Sequence, residues 1–228
     1  MQTMPVVTEE LIDSLPNPVQ NSLRASGVVG TEIPNRVAVR QRGRIRTSAE
    51  SKWLRFKARE TYEVEHPEFE WKAALKIGGV TVGRAIDSLR DGRGRMDVKL
   101  LGLMNVVEAS GSELDQGSLM RWLNETMWFP AVWASGLIKW RPRDEHSATG
   151  SVRSHGLEVA AEFCFDDEGR LVDFRADRYR DIGGGDFKMS PWSTPLDEHR
   201  VMAGVRVPAS GAGVWHLADG DFEYIQIH

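Results

Sequence analysis

Most of this chain alternates apolar and polar residues with a period of two. From Arg36 to Arg46, Val37, Val39 and Ile45 fall on one side and Arg36, Arg40, Arg42, Arg44 and Arg46 on the other. From Trp53 to Val64, Leu54, Phe56, Ala58, Tyr62 and Val64 alternate with Arg55, Lys57, Arg59, Thr61 and Glu63. Neighbouring side chains of an extended strand point to opposite faces, so each stretch predicts a strand with one face on a core. Turn formers punctuate the series. Glu65 to Pro67 leads into Phe69, Trp71, Ala73, Leu75 and Ile77, Gly78-Gly79 into Val80 to Arg90, and Asp91 to Gly94 into Met96, Val98 and Leu100. These are hairpins in series.

The stretch LMRWLNETMWFPAVW, Leu119 to Trp133, breaks the alternation. Leu119, Trp122, Leu123, Thr126 and Met127 recur at helical spacing, Asp115 is placed to cap the helix, and Pro130 starts a short second helix ended by Gly136. Hairpins then resume. Leu157, Val159, Ala161, Phe163 and Phe165 alternate up to DDEG, Leu171 to Arg180 returns, and Val201 to Val207, Val214 to Ala218 and Phe222 to Ile227 read as closing strands. Thr8 to Ser26, interrupted by Pro16 and Pro18, reads as a short helical lead. The expected fold is mainly β (α+β), a single domain over 1–228 with a helical lead at 1–35, a first strand set at 36–110, a helical lid at 114–136 and a second strand set at 146–228. Its form is one curved antiparallel sheet or open half-barrel of about ten to eleven strands covered by the mid-chain helical segment.

Composition narrows the function classes. A chain of 228 residues, 41% hydrophobic, can bury one large core. A net charge of −4 and a pI near 5.9 argue against general nucleic-acid binding, so no nucleic-acid partner is expected. The lone Cys164 leaves no intrachain disulfide, and a reducing compartment fits best. The first residues lack a basic stretch followed by an apolar run, and no run of about 18 apolar residues occurs. The expected location is the cytoplasm.

Arg40, Arg42 and Arg44 share a strand face by parity, and Arg55, Lys57 and Arg59 share one on the next strand, so a hairpin can present them as one surface for phosphate or carboxylate groups. The plainer reading is a solvated exterior balanced by Glu60, Glu63, Glu65, Glu68 and Glu70. Arg121 and Glu125 stand four apart on the helix and read first as an ion pair, or as an anchor to a strand arginine such as Arg178; a buried Glu125 could otherwise serve as acid or base. Asp87, Asp91, Asp97 and Asp173 fall at turns and on strand faces, where solvated Asp is common. His66, His146, His155, His199, His216 and His228 have no metal-ligand spacing. No nucleotide or hydrolase motif is present, and neither catalytic residue, metal nor cofactor is expected. Eight Trp make the aromatic set the richest signal. It is either a filled core or, through Trp53, Phe56, Trp71, Trp122, Met127 and Trp128, the wall of a pocket for a lipid-like or aromatic small molecule.

The strings WLRFKARETYEVEHPEFEWKA, DGRGRMDVKLLGL, LMRWLNETMWFPAVW, FCFDDEGRL, RADRYR, PWS, GVRVP and W-x-L-x-D-G-x-F-x-Y occur in an order that resembles an uncharacterised bacterial family of unknown function, from Leu15 to the carboxyl terminus. The layout of strands, a mid-chain helix and more strands also looks like the open β-barrel of bacterial lipoprotein carriers, and that likeness implies an apolar cavity. The leading expectation is therefore a non-enzymatic binding protein for an apolar or amphipathic molecule. The alternative is a scaffold or interaction module with a filled aromatic core that uses the arginine face for a partner, and third comes a hydrolase-type enzyme using a buried carboxylate.

Overall fold

The computed structural model describes residues 5–100 and 105–228; the end of the DGRGRMDVKLLGL string, Leu101 to Leu103, and Met104 lie outside them. Two short helices lead, α1 (Glu9–Asp13) and α2 (Asn17–Ser26). Thr8 caps α1 by accepting from the Leu11 N–H, and Gly27 ends α2 at φ 79°, a left-handed conformation that suits a residue without Cβ. Arg24 ties the two helices by reaching Glu9 and Asp13.

Among the described residues six strands precede the long helix: β1 (Arg36–Ile45), β2 (Leu54–Glu63), β3 (Glu68–Ile77), β4 (Val80–Arg90), β5 (Arg93–Leu100) and β6 (Asn105–Ala109). The helix α3 (Ser112–Glu125) runs on through 3₁₀ turns at Thr126–Trp128 and Pro130–Ala134. Nine strands follow: β7 (Lys139–Pro142), β8 (Ser147–Ser154), β9 (Leu157–Phe165), β10 (Leu171–Gly183), β11 (Asp186–Ser193), β12 (His199–Met202), β13 (Val205–Pro208), β14 (Gly211–Leu217) and β15 (Gly220–Ile227). Thirteen of them form one antiparallel sheet in the order β6-β5-β4-β3-β2-β1-β15-β14-β11-β10-β9-β8-β7. The sheet is open, with β6 and β7 at its edges, while β12 and β13 pair as a separate ribbon.

The count exceeds the ten or eleven strands expected, for visible reasons. β7 carries Trp140 among polar residues and Pro142, and β8 alternates residues as small as Ala148 and Gly150, so neither shows a strong period of two. Val201 to Val207, expected as one closing strand, is a hairpin instead: Ala203 and Gly204 both take positive φ, 50° and 86°, and reverse the chain within two residues. Asp91-Gly92 makes the expected reversal between β4 and β5 in the same way, at φ 49° and 72°.

α3 packs against β3, β4 and β5 on one arm of the sheet and against β8, β9 and β10 on the other. A cylinder about 10 Å across touches both arms only if the sheet curls round it. Register slips at Leu75/Lys76, Val98/Lys99, Leu171/Asp173 and Gly213/Val214 add local twist to that curl. Gly94 lets α3 seat closely, because a Cβ there would lie 2.6 Å from both the Leu114 carbonyl oxygen and Ser118 Oγ. The expected helical stripe is buried, with Leu119, Trp122, Leu123, Thr126 and Met127 all at 2% exposure or less. Asp115 does not cap the helix, which starts earlier, at Ser112; it lies inside, accepting from the Gly94 N–H at 2.7 Å and pairing with Arg93 at 3.1 Å.

Rings fill the space beneath the sheet. On the second arm Trp140, Trp133, Phe163, Phe174, Trp192, Trp215 and Tyr224 form a continuous line with successive centroids 4.9 to 6.3 Å apart. On the first, Phe56 meets Trp71, and Phe129 meets both Tyr62 and Trp122. Edge-on and tilted contacts at these spacings are how aromatic rings pack in a solid core.

Candidate functional site

Two constellations bear on function, one inside the sheet and one outside. The inner one centres on Arg121 of α3. Its Nη2 donates to Glu60 Oε1 on β2 at 2.8 Å, its Nη1 to Asp87 Oδ2 on β4 at 2.5 Å, and its Nε to Glu125 Oε1 on its own helix at 2.9 Å. The guanidinium also lies 4.8 Å from the ring centre of Phe69 and 5.4 Å from that of Trp71. Tyr62 donates its hydroxyl to Glu125 Oε2 at 3.1 Å. Trp71 can only donate, so its indole N–H fixes the Gln41 amide: Oε1 accepts from Trp71 at 2.7 Å, and Nε2 is left to donate to Glu60 Oε2 at 2.8 Å.

One guanidinium thus faces three carboxyls in a site where Glu60 is 0% exposed. Burial, with Glu125 close by, pushes the Glu60 carboxyl well above its ordinary range against the pull of Arg121. Burial would lower Arg121, but Glu125, Glu60 and Asp87 more than reverse it. Asp87 Oδ1 has no hydrogen-bond partner. The expected Arg121–Glu125 pair is therefore present, and its anchor on the sheet is carboxylate, Glu60 and Asp87; Arg178 instead donates to the Gly117 carbonyl at 3.2 Å and stacks on Trp192. A carboxyl sealed at this depth is suited to clamping α3 to the first arm rather than to exchanging protons with a substrate.

Sequence reasoning placed Glu60 on the solvated exterior and Asp87 among solvated aspartates, and both are interior. The signal was parity. Glu60 stands in phase with Phe56, Ala58 and Tyr62, Asp87 with Ala85 and Leu89, and Gln41 with Val37 and Val39, so each is a polar residue at an inward position.

The outer constellation lies on the convex face. Arg40 stands directly opposite Arg59, Arg42 opposite Lys57, and Arg44 opposite Arg55, all six exposed. On β3, Lys72 and Lys76 extend the rows beside Arg59 and Arg55. Of the acidic residues expected to balance them, Glu60 is inside and Glu68 accepts from the Asp91 N–H, while Glu63 and Glu70 pair only with Arg36 and Lys72, at the margin of the rows. Among the described residues Arg40, Arg42, Arg55, Lys57 and Arg59 have no carboxylate partner, and Arg44 donates to Gln226.

The aromatic pocket candidates separate. Phe56, Trp71, Trp122 and Met127 are 1%, 5%, 0% and 2% exposed within the packed core, Trp128 is half-buried, and Trp53 lies outside, stacked on Arg44 and Arg46 at 4.7 and 4.6 Å. Two crevices, of about 20 and 50 Å³, have room for water-sized molecules; the first runs past Met127, Trp133 and His199, whose Nε2 is unpartnered.

Ser193, His216 and Asp221 form a chain in the order of nucleophile, base and orienter, at 2.8 and 2.7 Å. Ser193 is buried at 4%, while the His216 and Asp221 side chains are 43% and 67% exposed, the reverse of the accessibility that nucleophilic attack requires. Burial pushes the Cys164 thiol up to about 11, which keeps it protonated. Among the described residues no three His, Cys, Asp or Glu side chains converge as a metal centre needs, and no helix is long and apolar enough to cross a membrane.

Fold and sites together define a curled antiparallel sheet plugged by a helix, with a closed ion cluster inside and an unbalanced basic face outside. The chain belongs to the family described as a family of unknown function (DUF6544), whose model matches residues 5–227. Neither the curated proteins nor the solved structures yield a match.

Proposed function

We propose that this protein is a non-catalytic binding module that docks an anionic partner on the convex face of β1, β2 and β3. The observation that carries this reading is the set of three like-charge pairs, Arg40 with Arg59, Arg42 with Lys57 and Arg44 with Arg55, directly opposite one another on adjacent strands. Like charges in that position oppose strand pairing, and a chain selected for stability alone would place carboxylates there. Phosphate or carboxylate groups seated across the rows relieve the repulsion, with the arginines offering planar forks for bidentate contact.

The small-molecule reading draws less support. It needs a ligand-sized pocket lined by Trp53, Phe56, Trp71, Trp122, Met127 and Trp128, and four of those six are core residues. The acid–base reading needs an accessible carboxyl, and Glu125, its candidate, is 5% exposed and held by both Arg121 and Tyr62.

Heparin-affinity chromatography across a salt gradient tests the reading. Wild type is expected to be retained despite its net charge of −4, and Arg42→Glu/Lys57→Glu to elute at clearly lower salt. The control reversal Arg141→Glu, on the far edge strand β7, should leave elution nearly unchanged. Equal elution of all three proteins would remove the basic face from consideration.

A further inference from the structure

The basic rows run down to a corner of the sheet with a second property. The β3–β4 hairpin ends in Ile77-Gly78-Gly79-Val80, and its two aliphatic side chains are 58% and 66% exposed. On the convex face toward this tip stand cations from five adjacent strands: Arg44 opposite Arg55, Arg55 opposite Lys76, and Arg84 opposite Lys99. Trp53 lies at the same end, beside the Ile45–Leu54 pair that closes β1 and β2, with its ring against Arg44 and Arg46.

We propose that this corner docks the protein on an anionic lipid bilayer, with Ile77 and Val80 entering the interface and the Arg44, Arg55 and Lys76 row facing the lipid phosphates. This rests on the basic-face reading and names its partner. An apolar tip with cations along its convex side matches a surface that is charged at its headgroups and apolar just beneath, and two weak signals of this kind are what stable peripheral anchoring takes. A nucleic acid satisfies the cations equally well but gives aliphatic side chains nothing to enter. The acidic remainder of the molecule also favours a partner that meets one face and extends no further round it.

The test is co-sedimentation with phosphatidylcholine vesicles made with and without phosphatidylserine, set beside heparin elution and binding to a duplex oligonucleotide. Wild type should sediment only with the anionic vesicles, and Arg55→Glu should weaken sedimentation by about five-fold or more. Ile77→Ser/Val80→Ser, confined to exposed positions, should weaken it by roughly ten-fold or more with heparin elution unchanged. Retention on heparin without sedimentation overturns the lipid assignment and leaves the basic face standing, whereas failure on both removes the two together. Sedimentation indifferent to the Ile77/Val80 change, or a duplex bound more tightly than the vesicles, also overturns the lipid assignment.

Discussion

Arg121 Nη2 stands 2.8 Å from Glu60 Oε1, a contact between the mid-chain helix and a strand 61 residues earlier, made where Glu60 has no contact with solvent. Removing Arg121 leaves three carboxyls without their cation. Arg121→Met should therefore destabilise the fold by about 3 to 5 kcal/mol in a urea titration. Arg121→Met/Glu60→Gln/Glu125→Gln, which removes two of the three stranded carboxyls and leaves Asp87, should recover much of that loss. A single variant as stable as wild type would mean that the cluster does not clamp the helix.

The same carboxyl makes stability depend on pH with a definite sign. Glu60 holds its proton more tightly folded than unfolded, because burial and Glu125 disfavour its charge. Its contribution is fully present below the unfolded value, about pH 4.5, and is lost as pH rises through the folded value. Glu60→Gln imitates the protonated form, so the variant should match wild type near pH 4.5 and gain on it as pH rises. A gap that runs the other way would contradict the assignment.

Trp122 and Met127 distinguish a plug from a ligand wall. With both at 2% exposure or less in a packed interior, Trp122→Ala should cost about 3 to 5 kcal/mol and Met127→Ala about 2 to 5, through the void each leaves. A naphthalene-based probe should show no wild-type binding for either change to abolish. Saturable probe binding lost in Trp122→Ala at modest cost in stability would restore the carrier reading.

Gly43 sits where the two arms meet, opposite Ile227. A Cβ there would fall 1.9 Å from the Gln226 carbonyl oxygen and 2.9 Å from the Phe56 ring. Gly43→Ala should force β1 away from β15 at a cost of about 1 to 3 kcal/mol or more, with amide protons of β15 exchanging faster than in wild type.

Much of the architecture is legible in the residues because a half-buried strand writes its own period. Val37 to Ile45, Leu54 to Val64 and Leu157 to Phe165 all lie where alternation puts them, and the Leu119 to Met127 stripe faces inward at helical spacing. The Arg121–Glu125 pair and the exposure of Arg40, Arg42 and Arg44 are local consequences of the same periods. What escaped depends on tertiary partners. Glu60 and Asp87 look like surface residues by type until a helix from elsewhere brings one guanidinium to both, and Gln41 is drawn in through Glu60 and Trp71. The charge balance of the arginine face depended on which carboxylates pair with which cations, and proximity in sequence credited Glu60 to the wrong side of the sheet. β8 escaped because Ala148 and Gly150 are too small to mark an inward face.

The junction of β1 with β15 has a consequence for how the chain comes to be folded. Arg44 and Gln226, hydrogen-bonded across it, are separated by 182 residues, so the two arms can each zip up through neighbouring hairpins long before they join. During that interval β1 is a bare edge, the kind of strand that recruits copies of itself into aggregates. Arginine at every other position from Arg40 to Arg46 is a deterrent to such pairing, since a second β1 laid alongside would bring like charges into register. The cations that give the finished sheet its basic face thus also act as gatekeepers of an unfinished one, and neutralising them should lower the yield of soluble protein during synthesis even where the completed fold loses little stability.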